Sequence, residues 1–237
     1  MTSVSEILTR LNLNRRDLNN ISLSQLRTIF KDLTVKEISK LCAVSRKFNS
    51  ICEDESLWRN KASDDYGIHK KYGNTWRQTA RNMDKVNMIN LGAKWIDGST
   101  YMKILNNALQ NGARSVINKQ EQYLFYFANN STSYVDDLQW NIENNDIQLQ
   151  IFANEVLGRD YTEEELNDIY YIKNREIDII YVAVLTYKGM RGGLYLPGGK
   201  TADIDINTVL PSYDFLRDMI DPILYIMQFS SFSFSIL

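Results

Sequence analysis

Histidine is almost missing from this 237-residue chain: His69 stands alone, followed by Lys70 and Lys71. One imidazole beside two lysines reads as a solvated surface residue, and its isolation removes His-based acid–base sets and most metal sites. Cysteine is nearly as scarce. Cys42 and Cys52 are too few for a disulfide framework or a thiolate metal centre, and both read as small buried apolar residues. Three prolines and eleven glycines exclude collagen-like and mucin-like chains. No apolar run approaches the ~18 residues of a membrane span, and the N-terminus lacks the apolar core of about 7–15 residues that marks a secretory signal. The sequence therefore reads as an unanchored protein of the cell interior, cytoplasmic or nuclear. Lys and Arg number 27 against 29 Asp and Glu, a formal charge of −2, so no global basic field advertises nucleic acid or anionic lipid. What remains is ordinary globular material, 44% hydrophobic and 24% charged, enough for one large domain or two small ones.

Residues 3 to about 112 have a helical period, with apolar side chains at Ile7, Leu8 and Leu11, then Leu26, Ile29, Phe30 and Leu33, then Ile38, Leu41 and Val44. That half has no proline. After Gln120 the pattern changes to short apolar or alternating runs at 123–128, 147–152 and 177–185, bounded by Asn, Asp, Ser and Gly, and these predict strands. Thr162-Glu-Glu-Glu-Leu166 joins a hydroxyl N-cap to acidic residues in a first turn and predicts a helix to about Tyr171. A last helix is expected from near Tyr213 to Met227, kinked or divided at Pro222. The fold class expected is α+β: an N-terminal helix over 1–20, a helical module over 21–66 and a mixed α+β domain over 74–237, with the boundary between Asp65 and Gly73 where Gly67 and Gly73-Asn74 interrupt the period.

The informative stretch runs from Ile21 to Arg59. It reads as three or four short amphipathic helices, each with one apolar face, closed by Leu57-Trp58, which plugs the bundle. Roughly forty residues bury little surface alone, so such a trio is expected to lean on a partner or on the following domain. The stretch resembles an F-box. The family pattern LPxExLxxIFxxL, followed by L..V.R.W..I..D..LW, falls without a gap on Ile21, Ser22, Ser24, Leu26, Ile29, Phe30 and Leu33, then Leu41, Val44, Arg46, Phe48, Ile51, Asp54, Leu57 and Trp58. Departures are Ile21 for Leu, Ser22 for Pro, Ser24 for Glu and Phe48 for Trp. The resemblance implies a substrate receptor of an SCF-type cullin–RING ubiquitin ligase. In it Ile21, Ser22, Leu26, Ile29, Phe30 and Leu33 face a Skp-type adaptor, Phe48 and Trp58 complete the packing, and Leu41, Val44 and Leu57 belong to the same adaptor-binding set. It also implies a target protein held by the rest of the chain; from composition and charge no cofactor, metal, nucleic acid or membrane is expected. A lone box beside an Asn- and Ile-rich, unfamiliar C-terminal part also resembles the F-box proteins of large DNA viruses, with the host cell as the place of action.

The same residues allow two other readings. Residues 35–46 have the look of a DNA-binding helix-turn-helix, with small residues at Ser39 and Ala43, but the second helix buries Phe48, Ile51 and Cys52 where a recognition helix needs an apolar residue at Asn49. An ordinary helical core, with residues 74–237 as a scaffold packed around it, is the other. Gly192–Thr201 misses the phosphate-loop pattern, since G-x-x-x-x-G-K-[ST] requires glycine at Leu194, and reads as a glycine-rich turn between strands. Asp203, Asp205 and Lys200 are the only candidates for catalysis, so no enzymatic activity is expected. Residues 95–113 resemble part of an ankyrin repeat but have no second copy. Ser235-Ile-Leu237 fits only a loose C-terminal ligand pattern. The many aromatics after Tyr123 predict packing, with a few left over for recognition.

Overall fold

The computed structural model describes residues 3–13, 21–192 and 221–231. Among them the secondary structure is helical throughout, apart from one isolated antiparallel bridge between Lys94 and Thr100. The α+β expectation is therefore overturned: there is no sheet among the described residues. No described helix is long and apolar enough to cross a membrane, and no three metal-ligating side chains come together there. The chain forms two compact units, Met1–Gly92 and Ala93–Leu237.

The first unit is a set of short capped helices: α1 Val4–Arg10, α2 Leu23–Lys31, α3 Val35–Cys42, α4 Arg46–Cys52, α5 Glu55–Tyr66 and α6 Trp76–Lys85. Helices this short are marginal in isolation, and each begins on a side chain that accepts a backbone N–H: Ser3, Ser22, Thr34, Ser45, Asp54 and Thr75. Of the N-terminal helix expected over 1–20, α1 is what the described residues show. The glycines at 67 and 73 do not mark a linker. Gly67 ends α5 in the left-handed region (φ +67°), and a Cβ there would lie 2.3 Å from the Gly92 nitrogen. Leu91 N–H donates to the Tyr66 carbonyl at 3.1 Å, and Asn90 Nδ2 to that of Asp64, also at 3.1 Å. The segment after α6 thus returns to the end of α5, and the division falls at 92/93 rather than within 65–73.

The second unit contains α7 Tyr101–Asn111, α8 Arg114–Phe127, a 3₁₀ turn Thr132–Tyr134, α9 Val135–Asn144, α10 Asp146–Leu157, α11 Glu163–Ile172, α12 Arg175–Gly192 and α13 Pro222–Ser230. The three expected strands lie inside α8, α10 and α12. In α8 the buried residues Val116, Gln120, Leu124 and Phe127 recur at helical spacing, and the apolar run is only the end of that stripe. In α10 the alternation Ile147-Gln-Leu-Gln-Ile151 imitates a strand, but the buried face is Leu149, Phe152 and Ala153, while Ile147 and Ile151 point outward. In α12 the near-continuous run at 177–185 is apolar on several sides because α7, α8 and α13 all pack against it. The helix expected from Thr162 is present, with a capping box between Thr162 and Glu165. Pro222 occupies the first turn of α13 behind the cap Asp221 and so starts that helix rather than kinking it. The remainder of that expected helix, the glycine-rich turn with Lys200, Asp203 and Asp205, and Ser235–Leu237 lie outside the described residues.

Candidate functional site

The site is the α2–α5 region of the first unit. Ser22, in place of the proline of the pattern, caps α2 by a capping box: Gln25 N–H donates to Ser22 Oγ at 3.2 Å, and Ser22 N–H donates to Gln25 Oε1 at 2.9 Å. The substitution exchanges a rigid entry for a hydrogen-bonded one. Asp54 caps α5 by accepting from Ser56 N–H at 2.9 Å and receives Arg27 from α2 at 2.9 Å. The Ser56 donors, with Arg27 added, hold the Asp54 carboxyl below its usual range against a burial effect of opposite sign.

Between the helices, the Phe30 and Phe48 rings stack with centroids 5.8 Å apart. Trp58 is fully buried and donates from Nε1 to the Cys52 carbonyl at 2.7 Å, closing the last turn of α4. The guanidinium of Arg77 sits 5.6 Å from the Trp58 ring. Lys61, buried on α5, donates to the Lys31 carbonyl at the end of α2 (2.9 Å) and pairs with Asp65 (2.9 Å). Burial raises the Asp65 pKa although Lys61 opposes it. Glu37 is also buried; desolvation pushes its carboxyl up, but Arg10 at 2.9 Å and the Thr34 N–H together hold it below the usual range. Cys42 and Cys52 are buried as expected, yet they are not separate apolar fillers: the turn between α3 and α4 brings their Cα atoms to 6.0 Å and the sulfurs are bonded.

The residues implied for adaptor binding fall into two groups. Leu26, Phe30, Leu33, Leu41, Phe48 and Trp58 are buried by the unit's own helices, so they shape the module rather than present surface. Ile21, Ile29, Val44 and Leu57 are only partly covered, and Ser22 is exposed. The sequence missed the Arg27–Asp54 tie, the Lys61 cap and the disulfide, because each joins residues whose partners are set by helix packing. In α4 the order Phe48, Ile51 and Cys52 inward with Asn49 outward is the one expected.

Residues 25–63 match the family model of the F-box-like domain. The chain carries an F-box-like domain. The match begins inside α2 and ends three residues before the end of α5, so α1 and α6 are additions that pack with it in the same unit. F-box-like domains are modules that bind Skp-type adaptors. Comparison of the chain with curated proteins and with solved structures gave no match.

Proposed function

We propose that the chain is a non-catalytic substrate receptor: its F-box-like domain docks on a Skp-type adaptor and through it on a cullin scaffold, while the second unit holds a target protein for ubiquitination. The observation that carries the reading is the F-box-like match over helices whose family-pattern residues build a closed core yet leave Ile21, Ile29, Val44 and Leu57 partly accessible. Apolar side chains left at a surface of an otherwise filled module fit burial against a partner. The second unit has exposed aromatics at Tyr126, Trp140 and Tyr171, of the kind used for recognition.

The test is co-expression of the full chain with a Skp-type adaptor, followed by size exclusion. Stoichiometric co-elution is expected, with loss of the complex and unchanged circular dichroism on combining Ile29→Lys with Leu57→Lys. A wild-type chain that elutes apart from the adaptor overturns the reading.

A further inference from the structure

We propose that the outer face of α10 docks a basic, amphipathic segment of a partner protein. Ile147 is 72% exposed and Ile151, one turn on, is 46% exposed, making Ile147 the most exposed large apolar side chain among the described residues. The two sit in an open depression of about 550 Å³ with Gln150 and Asn154 between them. Its edges are carboxylates: Asp146, Glu155 and Asp160. Two of these are held at the rim by neutral donors, Asp146 by the Tyr170 hydroxyl of α11 and Asp160 by the Asn154 amide, which orient the negative charge without cancelling it.

Charge names the occupant. α9, α10 and α11 contain nine Asp and Glu and not one Lys or Arg. Across 135–172 the only basic residue is Arg159, tied to Glu165 through both terminal guanidinium nitrogens at 2.8 Å. Lys173, just beyond, pairs with Glu143 at 3.4 Å. Among the described residues none of Asp146, Glu155 and Asp160 forms an ion pair, and an apolar stripe inside such a field selects a partner with aliphatic anchors flanked by Lys or Arg. The chain's own residues 193–220 do not fit, since they carry two basic residues against four acidic ones. The inference deepens the receptor reading and rests on it for the fate of the partner as a ubiquitination target; the docking itself requires no adaptor.

The experiment uses the full chain and a fluorescein-labelled helical peptide of Leu and Lys at helical spacing, with a counterpart in which Glu replaces every Lys, followed by anisotropy at about 0.05 M and 0.5 M salt. The Lys peptide is expected to bind and the Glu peptide not to. Ile147→Ser combined with Ile151→Ser should weaken binding about tenfold with the thermal midpoint unchanged, and Glu155→Lys should weaken it and flatten its salt dependence. Three outcomes overturn the proposal: equal binding of both peptides, Lys-peptide binding indifferent to the isoleucine pair, or self-association of the chain that the isoleucine substitutions abolish, which makes a second copy the occupant. Loss of adaptor co-elution with peptide binding intact strikes the receptor reading and leaves this one standing.

Discussion

Residues 1–92 carry sixteen Lys and Arg against ten Asp and Glu, whereas residues 93–237 carry eleven against nineteen. A chain whose formal charge is −2 thus joins a unit of +6 to a unit of −8. The whole-chain value misleads because screening confines an exposed charge to about 10 Å, so partners sense the local field and not the sum. The units also differ in how their helices are set. Every helix of the first begins on a side-chain cap, while α8 and α9 of the second begin without one. Local sequence starts the helices of the first unit; packing does more of that work in the second.

Truncating one tryptophan in each unit should separate the two units by the largest margin. Trp58→Ala removes a fully buried ring and its hydrogen bond to Cys52, and about 3–5 kcal/mol of stability should go with it. Trp140→Ala removes a ring that is 60% exposed and should change stability by no more than about 0.5 kcal/mol. Guanidinium unfolding followed by far-UV circular dichroism measures both, and equal losses would mean that burial is not what separates the two positions.

Reduction comes next. The only two cysteines lie in the first unit, where their bond closes a loop with a separation of 10 residues. Dithiothreitol should therefore lower stability by about 2–3 kcal/mol in the wild type and leave a Cys42→Ser/Cys52→Ser chain unmoved.

Two glycines give a finer contrast. Gly67 and Gly158 both end helices in the left-handed region, at φ +67° and +72°. Nothing lies within 4 Å of a Cβ built on Gly158, but one on Gly67 meets the Gly92 backbone. Gly158→Ala should cost only the conformational penalty of about 1–2 kcal/mol, and Gly67→Ala measurably more. Thermal melts of the two variants decide the order.

The smallest effect is that of pH on α11. The Arg159 guanidinium, opposed by burial and helped by the Thr162 N–H, holds the Glu165 carboxyl down at about 2, below its ordinary value of 4.5. A depressed folded-state pKa contributes stability that is complete above the unfolded value and disappears as pH falls through the folded one. The midpoint difference between wild type and Glu165→Gln should accordingly be present at pH 7 and shrink between about pH 4.5 and 2. A difference constant over that window would show that the ion pair contributes nothing to folding.

Much of the F-box-like module was legible from residue types. The N-caps Ser22 and Asp54, the inward order Phe48, Ile51 and Cys52, and the plug at Trp58 all follow from short-range pattern. The α+β reading failed because runs of six to nine residues are too short to tell a helical period from a strand period: Ile147-Gln-Leu-Gln-Ile151 alternates as a strand does, and only its neighbours show which residues face inward. The acidic face can be counted in the sequence, as ten carboxylates against one guanidinium over 135–172, but its apolar centre was missed, because 147–152 was read as a strand and only helix packing turns Ile147 and Ile151 outward.

Helix ends draw the line most clearly. Capped starts were set by sequence, through side chains acting between residues three apart: Gln25 reaches back to the Ser22 N–H, Glu37 to that of Thr34 and Glu165 to that of Thr162. The terminal carbonyls of four helices were left to the tertiary structure. Lys61 reaches Lys31, Tyr161 reaches Phe127, Gln120 reaches Ile172 and Arg175 reaches Ser230, across separations of 30, 34, 52 and 55 residues. The reason is directional. Helical side chains lean toward the N-terminus, so a residue near the start can reach back to free N–H groups, while the last carbonyls point away from their own side chains and wait for a donor that packing brings.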